Sequence, residues 1–300
     1  MNRIPSLIRI LRLITTHPLT KSKKAKTITG YVAWLLGRRM LPGPLLVPFV
    51  GATRLLVSYG ATEAVYNMYF GMAEFEEMGL VLHALRPDDV FVDVGANIGS
   101  YTVIAAGAAG ARSVSFEPAP STFAKLLDNI HLNDIGSRVS ARNMAVGSKS
   151  GVVNFTTTLD CMNHVSPDSD REDKSAMVPL VTLDDALAGS PVTVLKIDVE
   201  GFETEVIKGA SAAIHSDSLL VVIMEFNGSG LRYGFDEGEL HQYMLDADFR
   251  LIDYDPMLRK VTLLETKPFD RGNAVYARDI GRLRERVETA PRYAVHGSSV

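Results

Sequence analysis

The run Val90-Phe91-Val92-Asp93-Val94-Gly95-Ala96-Asn97-Ile98-Gly99, followed by a second apolar run that ends at Glu117, constrains this chain most. Val90 to Val94 is nearly all apolar, which fits a strand covered on both faces, the usual state of a central strand in a parallel sheet with helices on either side. Gly95 and Gly99 let the backbone turn sharply and approach a ligand where a helix begins, and free amides at a helix N-terminus attract anionic groups. Ile98 to Ala108 is alanine-rich and suits a closely packed helix; Ser113 to Phe116 is then a second strand. Strand, glycine turn, helix and acid-tipped strand together form half of a nucleotide-type pocket. The glycine spacing is not that of the dinucleotide fingerprint, because Ala96-Asn97-Ile98 separates the two glycines and a third is missing, so NAD is disfavoured. Glu117, 22 residues beyond Gly95, stands where a carboxylate can accept from ribose hydroxyls. The same position would also let it cap the helix that starts at Pro118.

The βα alternation continues along the chain. Pro118 to Leu132 reads as a helix and Val139 to Asn143 as the third strand. Thr182 to Leu187 reads as a short capped helix, Val192 to Asp198 as the fourth strand, Glu203 to Lys208 as its helix and Leu219 to Glu225 as the fifth strand. Asp236 can start a helix to Leu245; Phe249 to Asp253, Lys260 to Leu264 and Ala274 to Ala277 are antiparallel or edge strands. Residues 71–278 therefore form one α/β domain. Met72 to Leu85 reads as a helix with Phe75, Met78, Leu82 and Leu85 on one face, and Glu74, Glu76 and Glu77 largely outside it. Gly151 to Thr156 resembles an exposed strand, and 157–177 is polar and aperiodic, a long loop of the functional or disordered kind. From Arg278 the chain is charged and poor in large apolar residues, so 279–300 is expected as an accessory helix and frayed tail.

Residues 1–70 form a distinct, basic extension. No acid precedes Glu63, while Arg3, Arg9, Arg12, Lys21, Lys23, Lys24, Lys26, Arg38, Arg39 and Arg54 are all cationic. Ile4 to Ile14, with Arg9 and Arg12 interspersed, suits an amphipathic helix, either packed on the main domain or lying on an anionic bilayer as a peripheral contact. Ile28 to Leu36 is helical until Pro42-Gly43-Pro44, and Leu45 to Val50 with Thr53 to Val57 make a strand cap. No apolar run approaches the roughly 20 residues that span a bilayer, and no secretory signal is recognisable, so the expected location is cytoplasmic. The net charge of -4 supplies no broad basic field for nucleic acid. One cysteine, Cys161, excludes an intrachain disulfide and a cysteine-cluster metal site.

Acidic residues gather at the carboxyl ends of the later strands, the side on which open α/β sheets bind ligands. Asp198 and Glu200 follow the fourth strand; Glu225, with Asn227 two residues on, follows the fifth. Carboxylates converging on one cleft raise one another's pKa and suit removal of a hydroxyl proton, and the same oxygens could hold a divalent cation such as magnesium. Lys196, inside an apolar strand, either pairs with one of these acids or a substrate group, or snorkels at an edge. His164, beside Asn163 and Asp160 in the long loop, is a further candidate base or substrate contact.

Phe91-Val92-Asp93-Val94-Gly95-Ala96-Asn97-Ile98-Gly99, Phe116-Glu117-Pro118, Ala145-Val146-Gly147, Thr182-Leu183-Asp184-Asp185 and Lys196-Ile197-Asp198-Val199-Glu200-Gly201 together resemble the FkbM family of S-adenosylmethionine-dependent methyltransferases, over roughly Phe75 to Phe226. The resemblance implies the Rossmann-like class I methyltransferase fold, an α/β fold with a seven-stranded, mostly parallel sheet and helices on both faces. It implies Asp93, Gly95, Asn97 and Gly99 around the methionine end of S-adenosylmethionine, Glu117 on its ribose, Asn143 and Ala145 near its adenine, and Asp198 nearest the sulfonium and acceptor. It also implies a small-molecule or glycan hydroxyl as acceptor. Asp198 is then the leading base or hydroxyl anchor, with His164 and Glu225 behind it, and Lys196, Glu200 and Asn227 face the acceptor. N- or carboxyl-methylation with the same donor site, and a non-catalytic scaffold at a membrane surface, are the alternatives.

Overall fold

A computed structural model of the chain describes residues 12–37, 43–58, 62–157, 162–166, 175–266 and 272–300. Most of the Ile4 to Ile14 segment, Pro42, Asp160 and Cys161 lie outside the described residues. In chain order, helix Lys24–Gly37 precedes strands β1 (Leu45–Pro48) and β2 (Arg54–Val57), then helices Thr62–Phe70 and Phe75–Ala84. The α/β part runs β3 (Val90–Val94), helix Ser100–Thr102 continuing as π-helical Val103–Ala108, β4 (Arg112–Phe116), helix Pro120–Leu132, β5 (Val139–Arg142), β6 (Ala145–Val146), β7 (Gly151–Thr156) and β8 (Ser175–Val181). After helix Leu183–Leu187 come β9 (Val194–Ile197), helices Glu203–Lys208 and Ser211–Ile214, β10 (Val221–Glu225), the 3-10 turn Ser229–Tyr233 and helix Glu237–Asp246. The chain closes with β11 (Arg250–Asp255), β12 (Lys260–Leu263), β13 (Asn273–Ala277), helix Ile280–Thr289, β14 (Ala294–Val295) and β15 (Ser298–Ser299).

Eight strands form the main sheet in the order β12-β11-β13-β10-β9-β3-β4-β5. The five from β5 to β10 are parallel, and β13, β11 and β12 add on antiparallel. The expected seven-stranded frame is present; Lys260–Leu263 turns back on β11 and extends the edge by one strand.

Pleat parity assigns the two faces. Val90, Val92, Val94, Leu195, Ile197, Val222 and Met224 pack on one side against Val206, Ile214, Leu240 and Met244. Phe91, Val194, Val221 and Ile223 pack on the other with Met78, Tyr101, Ile104, Leu126 and Leu283. Each such side chain taken fully out of water contributes about 1.5–3 kcal/mol before chain entropy is counted. The N-terminal extension joins this second layer, because Leu19, Phe49, Val50 and Leu55 belong to the same buried cluster.

Two regions differ in part from expectation. The accessory helix expected after Arg278 is present as Ile280–Thr289, but the residues after it pair as the β14–β15 hairpin: Leu283, Val287, Val295 and Val300 are buried in the main core, and the Arg286 guanidinium reaches the Asp89 carboxylate. A helix four residues per contact needs only Leu283 and Val287 to dock, and its charged remainder faces water. The second difference is β8, the middle strand of a three-stranded sheet β6-β8-β7. Only Val178 and Leu180 of β8 are buried, too short an alternation to read beside Pro179. Pro179, lacking an N–H, lies just before pairing with β6 begins at Leu180, so it breaks no bond to that neighbour.

The hairpin β1–β2 is held over the glycine turn by two asparagines. Asn133 exchanges both amide bonds with the Arg54 backbone at 2.8 Å, and Asn129 Oδ1 accepts from Leu56 N–H at 2.8 Å. Four helical residues rise about 6 Å and two strand residues slightly more, so this pair matches the free edge of β2. Asn129 Nδ2 also donates to the Ile98 carbonyl at 2.9 Å, tying hairpin and glycine turn to one buried side chain.

Candidate active site

The carboxyl edges of β3, β9 and β10 build the site. Asp93 and Lys196 are register partners on adjacent strands, so their side chains leave the sheet on the same face; Glu225, two residues beyond Ile223, joins them. Asp198 follows just past the end of β9, anchored by its N–H to the Val94 carbonyl at 3.0 Å. Lys196 is not at an edge: it lies mid-sheet and is 4% exposed, its Nζ 2.9 Å from Asp198 Oδ2 and 5.0 Å from the centre of the Tyr101 ring. Burial opposes the ammonium, but the Asp198, Asp93 and Glu74 charges outweigh it and hold Lys196 above the usual lysine range.

Asp93 is fully buried and takes the Thr102 hydroxyl at 2.8 Å on Oδ2, while Oδ1 has no hydrogen-bond partner among the described residues. Burial raises its pKa against the pull of Lys196. Asp198, Glu200 and Glu225 bring one carboxylate oxygen each within 4.8 Å of one another. Burial, then the Asp198, Glu200 and Glu203 charges, lift Glu225 to about 9, and burial with Asp198 lifts Glu200 to about 7. Burial and its neighbours thus bias Glu225 toward the neutral form, and its buried Oε2 has no hydrogen-bond partner among the described residues. The cluster distributes its charge between one ammonium and at least one bound proton. Its oxygens are of the type that a hard divalent cation prefers, but the Lys196 ammonium already stands among them.

A stability prediction follows from Glu225. Its folded pKa lies above its unfolded value, so the folded state holds a proton that the unfolded chain releases, and stability falls as pH rises until the folded group also ionises. Glu117, Glu200 and Glu203 are raised to about 7, are half ionised there, and complete this loss near pH 8. Between pH 8 and 9, denaturant unfolding should therefore weaken with a slope of up to about one proton, and Glu225→Gln should flatten it. An unchanged slope in that variant would place the proton elsewhere.

The glycine turn is as tight as its sequence suggests. Gly95 and Gly99 have φ of +81° and +90°, and Asn97 between them is also left-handed at +49°. A Cβ on Gly95 would fall 1.8 Å from the Asp198 carbonyl oxygen, so turn and acidic loop are pressed together. Both functions foreseen for Glu117 are compatible with its position. Its Oε1 accepts from Ala119 N–H at 2.8 Å, capping the next helix, and its Oε2 accepts from Asn97 N–H at 2.9 Å, holding the turn. Burial lifts it to about 7 despite these donors. Asn143 braces the same corner, donating to the Glu117 and Pro118 carbonyls at 2.8 and 3.0 Å. Ala145 is buried at the start of the second sheet.

The remaining candidates lie on the outer loops. Glu200 has a positive φ of 56°, and Arg232 reaches its carbonyl. Asn227 is exposed and its Oδ1 accepts from Ser229 N–H. His164 is buried, its Nδ1 2.9 Å from the Met162 carbonyl, and the neighbouring Val165 carbonyl accepts from Tyr233 of the 3-10 turn. The segment around His164 is thus bonded to the turn that carries Arg232.

Four polar residues have roles that the sequence reading did not assign. Glu74 accepts from Tyr101 at 2.7 Å and from Asn273 at 3.0 Å, and Tyr101 presents its ring to Lys196. Glu77, expected outside the apolar face of its helix, is buried. Nothing in the helical period of Phe75–Ala84 distinguishes Glu74 from an ordinary surface acid at a helix start; it is the crossing of β13 beside β10 that delivers Asn273 to it.

A parallel sheet extended by antiparallel strands, with a glycine turn and an acid at the first two strand ends, is the architecture of the class I, Rossmann-like methyltransferase fold. The family model described as the methyltransferase FkbM domain matches residues 93–251, and the chain belongs to that family. Among curated relatives, the hexuronic acid methyltransferase AglP of Haloferax volcanii is 27% identical over 208 residues, covering 68% of this chain and 83% of its own. The 31-O-demethyl-FK506 methyltransferase FkbM of Streptomyces tacrolimicus is 30% identical over 197 residues, covering 54% of this chain and 74% of its own. Methyltransferase 1 of Beauveria bassiana is 30% identical over 164 residues, covering 46% of this chain and 65% of its own. The protein is an S-adenosylmethionine-dependent methyltransferase. No helix among the described residues is long and apolar enough to cross a membrane.

Proposed function

We propose that the protein methylates a hydroxyl group of a sugar, glycan or small natural product. The observation that carries this reading is the pairing of Lys196 with Asp198 beside a protonated Glu225, which puts a proton acceptor and a proton donor at one mouth. The relatives named for hexuronic acid and for 31-O-demethyl-FK506 support it.

The residues present fit the donor. The unpartnered Asp93 Oδ1 suits a cationic ligand, and the Gly95–Gly99 turn leaves its backbone bare. Asp93, Gly95, Asn97 and Gly99 would hold the methionine end, Glu117 the ribose, and Asn143 with Ala145 the adenine side. When bound, S-adenosylmethionine supplies an electrophilic methyl group. Asp198 accepts the acceptor's hydroxyl proton, Lys196 keeps that carboxylate oriented, and Glu225 in its neutral form donates to a second acceptor oxygen. Glu200, Asn227 and the segment around His164 shape the acceptor side. Much of the acceleration comes from alignment of two bound reactants.

The test is transfer of a labelled methyl group to a panel of uronic acids, neutral glycosides, macrolide alcohols, simple carboxylic acids and amines, with and without a chelator. Ether-linked label on a hydroxyl, unchanged by chelation, is expected. Label only on carboxyl or amine groups would overturn the hydroxyl assignment, and loss on chelation would overturn the proton-based account of the acidic cluster. For the donor side, Glu117→Gln keeps one carbonyl oxygen for the two amides but gives up the charge. It should weaken S-adenosylmethionine binding about 10- to 100-fold by calorimetry, and the backbone N–H left facing the Gln NH2 should cost about 1–3 kcal/mol of stability. Unaltered affinity would leave Glu117 as a helix cap alone.

A further inference from the structure

A cavity of about 1400 Å³ lies among the helix Lys24–Gly37, the β1–β2 hairpin, the helix Thr62–Phe70 and the β14–β15 hairpin. It shares no lining residue with the acidic cluster, and it exceeds the roughly 300–1,000 Å³ of ordinary small-molecule pockets. Trp34, Leu45, Val47, Phe49, Val57 and Met68 supply an apolar wall. Glycines keep the space open: at Gly30, Gly37, Gly43 and Gly51 a Cβ would meet nothing within 4 Å. Protein interiors are otherwise packed like organic crystals, so apolar space of this size suits an apolar guest.

The charges around it are of one sign. Lys23, Lys26 and His296 line the cavity, Lys23 Nζ donates to the His296 carbonyl at 3.0 Å, and no Asp or Glu is among the lining residues. Burial and then the two lysine charges hold the His296 imidazole below its ordinary pKa, as expected of cations converging on one point. Leu45, part of that wall, is 38% exposed and gives the cavity an apolar lip. A basic end, an apolar bore and an apolar lip match one kind of molecule.

We propose that this cavity binds a single lipid phosphate, its hydrocarbon chain against Trp34, Val47, Phe49 and Met68 and its phosphate at Lys23 and Lys26. The site is independent of the assignment of the methyl acceptor. It nevertheless borders the donor turn, because Val47, Val57 and Met68 also pack with Ile98.

Trp34 is the only tryptophan in the chain, so its emission reports the cavity directly. The full-length protein is titrated with dodecyl phosphate below its micelle concentration, with dodecanol and with inorganic phosphate. Dodecyl phosphate should shift Trp34 emission saturably at one per chain, dodecanol should bind roughly tenfold more weakly for want of charge-assisted bonds, and inorganic phosphate should not shift the emission. Gly30→Leu, which adds bulk into open space and favours the helix, should abolish the saturable shift. Lys26→Gln, at an exposed position, should move dodecyl phosphate part of the way toward the alcohol, Lys23 keeping the rest of the preference. The proposal is overturned by the absence of a saturable shift, by equal binding of phosphate and alcohol to the wild type, or by wild-type binding in either variant. Because each readout is fluorescence rather than turnover, an error about the methyl acceptor leaves the result intact.

Discussion

Asp198→Asn should lower kcat by roughly 10²- to 10⁴-fold, the usual worth of a positioned general base, while S-adenosylmethionine still binds within a few-fold of wild type. The substitution keeps the shape of the side chain and its place after β9, where the backbone N–H is held by Val94. What it removes is the anionic partner of a buried ammonium. Breaking a buried pair costs about 3–5 kcal/mol when the remaining charge is stranded. Here the side chain of Asp198 is 33% exposed and Asp93 continues to act on Lys196, so a smaller loss is expected. Calorimetry with the donor and single-turnover methyl transfer separate the outcomes. Retained turnover would mean that the acceptor needs no base, as a carboxylate would not, and would move the assignment to carboxyl methylation.

Gly95→Ala is expected to be the more damaging change to the donor half. The new Cβ would have to share space with the Asp198 carbonyl at 1.8 Å, and the residue would have to keep a φ of +81°. The left-handed conformation alone costs an ordinary residue about 1–2 kcal/mol, and the overlap adds a shift of the β9 loop on top of it. Unfolding free energy should fall by about 3 kcal/mol or more, and donor affinity by over about 100-fold. Gly51→Ala is the matched control. Its φ is +59° but its Cβ would meet nothing within 4 Å, so it bears the conformational cost alone. If the two variants melt alike and both bind donor, close approach of the two loops is not what selects glycine at position 95.

The glycine-turn half of the site was legible because its signals are local. An unbroken apolar strand, two glycines and an acid at the next strand end are each read within a few residues, and the backbone around them has few ways to satisfy its hydrogen bonds other than the turn seen. Lys196 was recognisable as an anomaly for the same reason, being a cation in a run that otherwise demands burial. Its partner was not decidable from spacing, since Asp198, Glu200 and Glu225 were all eligible. The pleat and the register of β9 against β3 selected Asp198 as the ion-pair partner and placed Asp93 beneath the ammonium. Glu74, Tyr101 and Asn273 were invisible because they are brought together over as many as 199 residues of separation. Gly151–Thr156 was legible as a strand and the helix after Arg278 was expected, but β8 and the β14–β15 hairpin were missed, because two buried residues sufficed to dock an element, a signal too short to stand out from composition.

By itself, then, the sequence determined the class of fold, the tight glycine turn and the presence of an acidic, lysine-bearing mouth, since those depend on burial pattern and on φ angles that only particular residues tolerate. The tertiary structure alone decided which acid neutralises Lys196, which one keeps a proton, and that a basic N-terminal segment encloses an apolar cavity. Those outcomes turn on distances across strands and on desolvation, quantities that exist only once remote parts of the chain have been packed together.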